Sequence, residues 1–111
     1  DFMLHRLISV IRNMKIYEDV MLRNLQSNRG LIFSEAILLH LVDKGLTREE
    51  AYALVQRNAM KAWEQGLDFK ELLLADAEIS QRLSAAEIEH SFDLNRALRW
   101  VDAIFERVFG E

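Results

Sequence analysis

The chain has no cysteine, no proline and four glycines in 111 residues. Without cysteine there is no disulfide framework, no thiolate nucleophile and no zinc–thiolate centre. Without proline, the turns must be set by capping side chains and glycine. Gly30, Gly45, Gly66 and Gly110 are too far apart to form a phosphate-cradling loop. No apolar run approaches the roughly 20 residues that a membrane-crossing helix needs. Positive charge is also short: 14 Lys and Arg stand against 18 Asp and Glu, for a net charge of -4 and a pI near 5.4. The cations are scattered among acids, so no stripe is available to neutralise phosphates or an anionic bilayer. The expectation is a protein without nucleic-acid or membrane partners, working in the cytoplasm.

The residues present describe a globular helical chain. Half of them are apolar and 29% are charged, which is too hydrophobic for a disordered segment. No stretch alternates with period two, and there is no internal repeat or low-complexity tract, so the fold class is all-α. Residue 1 is Asp and helical periodicity is already running at Phe2, as in a piece cut from a longer helix. From Phe2 to Lys15, Met3, Leu4, Leu7, Ile8, Val10, Ile11 and Met14 share one arc, with His5, Arg6, Ser9, Arg12 and Asn13 opposite. That arc predicts packing against other helices. A shorter amphipathic segment covers Tyr17 to Gln26, and "SNRG" at Ser27 to Gly30 marks a break suited to a left-handed glycine.

Leu31 to Lys44 is apolar around most of its circumference and predicts a central helix. Thr47 with Glu50 forms a capping box opening the helix in "GLTREEAYALVQRNAMKAWEQG", whose packing arc includes Ala51, Leu54, Val55, Ala59, Ala62, Tyr52 and Trp63. Similar boxes at Asp68 with Glu71 and at Ser84 with Glu87 open two short helices. Leu94, Leu98, Val101, Ile104, Phe105 and Val108 line a last helix ending at Gly110. These boundaries divide the chain into residues 1–28, the end of a helical bundle, and residues 29–111, a small multi-helix cap.

No residue stands out as catalytic, cofactor-binding or metal-binding. Glu87 and His90 have the Glu-x-x-His spacing of di-iron bundles, but such a site needs a second copy and two further glutamates. His40, in the apolar helix, reads first as a hydrogen-bonded structural histidine. His5 reads as part of a solvated face that could meet a ligand or subunit in a larger protein. Ser34 lacks a His–Asp arrangement and reads as a serine bonded to its own backbone. Asn58, the one polar residue in the arc of its helix, reads as satisfying a buried backbone group. Tyr52, Trp63 and Trp100 read as core or interface anchors.

The run "LIFSEAILLHLVDKGLTREEAYALVQRNAMKAWEQGLDFKELLLAD", with "ISQRLSAAEIEHSFDL" and "VDAIFERVFG" after it, closely resembles the C-terminal region of bacterial adenylosuccinate lyases. "DFMLHRL" through "MLRNL" looks like the end of the long helical segment before it, so the resemblance covers essentially the whole chain. It implies a homotetrameric lyase of the fumarase and aspartase superfamily. Such enzymes eliminate fumarate from adenylosuccinate and from succinylated aminoimidazole carboxamide ribotide, without metal or organic cofactor. A serine on a mobile loop serves as base and a histidine as acid. The loop pattern Ser-Ser-x-Met-Pro-x-Lys-x-Asn-Pro and the catalytic histidine segment belong upstream of Asp1 in that layout, so the resemblance gives this chain no catalytic residue. It also implies self-association through Met3, Leu7, Ile11 and Met14, which longer relatives would bury among neighbouring helices.

The chain departs from the family pattern in two ways. Prolines expected near Glu18, near Ala77 and after Ser84 are missing. Where relatives read roughly Asp-Tyr-His-Leu-Lys-His-Val-Asp, this chain has Asn95-Arg96-Ala97-Leu98-Arg99-Trp100-Val101-Asp102. A different class of function, a stand-alone helical interaction module, also fits the amphipathic first helix. A DNA-binding helix at Thr47 to Trp63 does not, because Glu49, Glu50 and Glu64 are mixed with Arg57 and Lys61 on its exposed arc.

Overall fold

In the computed structural model, which describes residues 1–110, the chain is helical without any strand among those residues. The order is α1 (Phe2–Arg12), α2 (Glu18–Ser27), a 3-10 turn (Leu31–Phe33), α3 (Ser34–Asp43), α4 (Arg48–Gln65), α5 (Phe69–Ala75), α6 (Ala77–Ser80), α7 (Ala85–Ser91), α8 (Leu94–Leu98) and α9 (Val101–Phe109).

The core lies between Ile37 and Ile88. It consists of Ile37, Leu41, Ala51, Val55, Ala62, Phe69, Leu73, Ile79, Leu83 and Ile88, contributed by α3 through α7. Helix α3 packs on α4 and α7, and α5 bridges α4, α6 and α7. Small side chains let α3 and α4 approach, since two of the four buried positions of α4 are alanine.

Capping chemistry replaces proline in defining the turns. The Thr47 hydroxyl accepts from the Glu50 amide at 3.2 Å, while the Glu50 carboxylate accepts from the Thr47 amide at 2.8 Å. Ser84 and Glu87 repeat the arrangement at 3.3 and 2.9 Å. At Asp68 only half a box forms: its carboxylate accepts from the Glu71 amide, with no return bond. Helix α6 is an addition to the sequence reading. Asp76 opens it by accepting from the amides of Glu78 and Ile79.

The arm formed by α1 and α2 joins the cap at Arg29 and Gly30, both left-handed with φ of 50° and 85°. The Phe69 amide donates to the Arg29 carbonyl at 3.1 Å. A Cβ on Gly30 would stand 2.7 Å from the Phe92 ring, which is stacked obliquely near Phe33 and Phe69. Glycine is needed there for both backbone and space.

Three expectations are corrected. Leu31 to Lys44 is not one helix, because the left-handed turn at Arg29 and Gly30 feeds a 3-10 turn before α3 begins at Ser34; Ile37 and Leu41 alone are buried on α3. The last helix is broken at Arg99 and Trp100 into α8 and α9, with no buried residue on either. Trp63 is 69% exposed. The buried stripe of α4 is Ala51, Val55, Asn58 and Ala62, a narrow seam spaced four, three and four residues apart. At about 100° per residue, Trp63 lies roughly 100° round the helix from Ala62. An arc drawn across half the wheel also takes in Tyr52 and Trp63, which stay exposed, while Ala59 between them is half-buried against the core.

Candidate functional site

The polar chemistry of the cap gathers at two places. At the first, α4 meets α6. Asn58, 2% exposed, donates its amide N–H groups to the Leu54 carbonyl at 3.0 Å and to Asp76 Oδ2 at 2.7 Å. Arg57 donates to the same Asp76 oxygen at 2.7 Å and to Glu78 at 2.9 Å. Burial pulls the Asp76 carboxyl upward, but the bonds from Asn58, Arg57 and the Ile79 amide outweigh it and leave the group below its ordinary value. Asn58 thus satisfies a backbone carbonyl, as its place in the arc predicts, and also an acid 18 residues away. An Asp–Ala–Glu start is a capping signal, and it could have found Asp76 in the sequence.

At the second place, α3 meets α7 and α8. His40 lines a groove of about 470 Å³ together with Leu39, Asp43, Ser91 and Arg96. Its Nδ1 lies 2.9 Å from the Ser91 hydroxyl, which donates to the Glu87 carbonyl at 2.9 Å; Arg96 Nη1 lies 3.1 Å from its Nε2. His40 is the hydrogen-bonded histidine that its setting predicts.

The other candidates are not brought together. Glu87 accepts from Ser84 and pairs with Lys44 at 2.6 Å, which holds its carboxyl down to about 2. With Glu87 so committed and His90 exposed, the Glu-x-x-His spacing makes no site. Among the described residues no three His, Asp or Glu side chains gather for a metal. Ser34 lines a shallow groove with Arg48, Tyr52 and Gln56 that contains no histidine. His5 bonds Asp1 one turn back and is otherwise in solvent.

The largest feature is what the fold leaves uncovered. A compact monomer of 13.0 kDa exposes about 6,300 Å² and has a radius of gyration near 13 Å. This chain exposes 8987 Å² with a radius of 19.1 Å. The excess lies where apolar faces have no neighbour: Met3, Leu7, Ile11 and Met14 on and just after α1, Ile104, Phe105 and Val108 on α9, and Trp63 on α4. None of α1, α2, α8 or α9 buries a residue. Among the described residues no helix is long and apolar enough to cross a membrane.

A family model described as adenylosuccinate lyase C-terminus matches residues 30–108. The chain belongs to this family. Adenylosuccinate lyases of Thermotoga maritima and Bacillus subtilis are each 45% identical to it, over 106 and 108 residues, covering 96% and 97% of this chain. That of Helicobacter pylori strain 26695 is 48% identical over 119 residues, covering 98% of this chain. The chain spans about a quarter of the length of these relatives. Membership of the adenylosuccinate lyase C-terminal family gives the exposed faces a context, since the relatives have three further quarters of chain to place against them.

Proposed function

We propose that this chain serves as the C-terminal structural part of an adenylosuccinate lyase, with residues 1–28 ending the central helical bundle and residues 29–111 forming the cap. The enzyme eliminates fumarate from adenylosuccinate, giving AMP, and from succinylated aminoimidazole carboxamide ribotide. It is a cytoplasmic homotetramer that needs no cofactor. In this reading the chain itself supplies no catalytic residue, and the base serine and acid histidine stand in the preceding sequence. The observation that carries the reading is the uncovered surface of a chain that belongs to this family. Roughly 2,600 Å² beyond a compact monomer is the scale of an obligate interface. Met3, Leu7, Ile11 and Met14 form the strip that a second copy covers.

The test is a chimera. The matching C-terminal quarter of the Bacillus subtilis enzyme is replaced by this chain, and fumarate release from adenylosuccinate is followed by ultraviolet absorbance. A tetramer with activity within about tenfold of the parent is expected. The isolated chain should release no fumarate. Turnover by the isolated chain, or a chimera that folds but neither assembles nor turns over, overturns the assignment.

A further inference from the structure

The hydrogen bonds around His40 admit only one protonation state. A guanidinium has donors and no acceptor, so Nε2, facing Arg96 Nη1 at 3.1 Å, must carry a lone pair. The ring proton is then on Nδ1, donated to Ser91 Oγ at 2.9 Å, and the Ser91 hydroxyl donates to the Glu87 carbonyl at 2.9 Å. Arg96, His40, Ser91 and the Glu87 carbonyl form one directional chain from α8 through α3 to α7. Ser91 is 3% exposed and has no other acceptor to turn to.

We propose that His40 is a pH-operated latch on α8. Neutral, it holds Arg96 and fixes α8 against α3; protonated, it presents an N–H and a positive charge to the guanidinium and releases it. Helix α8 has no buried residue of its own, so little else resists the release. The charged surroundings do not supply a substitute partner for the imidazolium. Just past the end of its own helix, Lys44 is paired with Glu87 of α7 at 2.6 Å. Glu35 and Asp43 of α3 line the same groove without a bond to the ring. Asp93 is engaged with the Asn95 amide at 2.9 Å. Arg99 beyond α8 lines the same groove as a further cation, and His90 of α7 lies in the neighbouring groove that His40 also lines.

Two tryptophans are present, and Trp100 stands two residues after α8. In a Trp63→Phe background its fluorescence anisotropy reports the tail alone. Between about pH 8 and 5, where histidines gain a proton, the anisotropy should fall in a single-proton step. Hydrogen exchange corrected for intrinsic rates should show the 94–98 amides losing about tenfold in protection, as expected for one charge-assisted bond. Circular dichroism should stay constant. Arg96→Gln tests the mechanism, because an amide can turn to accept from the imidazolium, so the step should vanish in a chain that is folded at both pH values. A step that persists in Arg96→Gln or in His40→Gln, or no step in the Trp63→Phe chain, overturns the proposal.

Discussion

Removing the Asp76 carboxylate should destabilise the fold around α4 and α6, for two separable reasons. As the opening residue of α6 it accepts from two amides, and loss of such a cap costs about 1 kcal/mol. As the acceptor of Asn58 it satisfies one N–H of an amide that is 2% exposed, and stranding that donor costs about 1–3 kcal/mol. The Arg57 pair adds little, because 42% of the arginine side chain is in solvent. Asp76→Ala should therefore cost about 2–4 kcal/mol, which at a urea slope of roughly 1–2 kcal/mol/M lowers the midpoint by about 1–4 M. Asn58→Ala removes the stranded donor, so the double variant should be less destabilised than the sum. The pH dependence has a fixed sign. Because the folded Asp76 carboxyl sits below its ordinary value, its contribution is complete above the unfolded aspartate range and is lost as pH falls through the folded value. The gap between the unmodified chain and Asp76→Ala should be widest near neutrality and close in acid. A midpoint shift under about 0.3 M, or strict additivity with Asn58→Ala, would refute the reasoning.

Gly30→Ala should cost about 2–3 kcal/mol in thermal melts, from the left-handed backbone and the clash with Phe92 together; an unchanged midpoint would mean the Arg29–Gly30 turn is not formed. Trp63→Ala should change the stability of this chain by less than about 0.5 kcal/mol, since the ring is mostly in solvent. A loss above about 2 kcal/mol would show that the ring is covered after all. Charging Leu7 and Ile11 to Glu should turn a self-associated chain into a monomer by sedimentation, with α3–α7 still helical; a monomeric unmodified chain would remove the basis for covering α1 with a second copy.

The features written in short-range chemistry were legible in the sequence. Thr47 with Glu50 and Ser84 with Glu87 were readable because a capping box is decided within four residues. The left-handed Gly45 and Gly66 bound α4 where the sequence places them. His40 and Asn58 were correctly read as hydrogen-bonded, but their partners were not. Ser91, Arg96 and Asp76 are 51, 56 and 18 residues away, and no periodicity encodes such pairings. Trp63 failed for a different reason. A helical wheel shows which residues share a face, and whether a neighbour exists to cover that face depends on the other helices. In α4 the seam that is buried is Ala51, Val55, Asn58 and Ala62, whose two alanines leave room for the packed neighbour. The broken last helix was missed since Leu94 to Val108 keeps apolar spacing across the turn at Arg99 and Trp100.

The core and the arms therefore follow different selection rules. Every fully buried apolar residue lies from Ile37 to Ile88, with Leu31 and Phe92 packed against that core from either side. Helices α1 and α9 keep strongly segregated apolar and polar faces but bury nothing internally, and segregation of that kind is stabilising only when a partner removes the apolar side from water. The arm's direction is set at one point, where the Arg29 carbonyl accepts from Phe69 and Gly30 slides under Phe92. Phe69 is itself fully buried at the head of α5, so the arm is anchored to the apolar core. A junction of two left-handed residues, one hydrogen-bonded to a core phenylalanine and the other under the Phe92 ring, sets how α2 leaves the α3–α7 core through a few specific contacts.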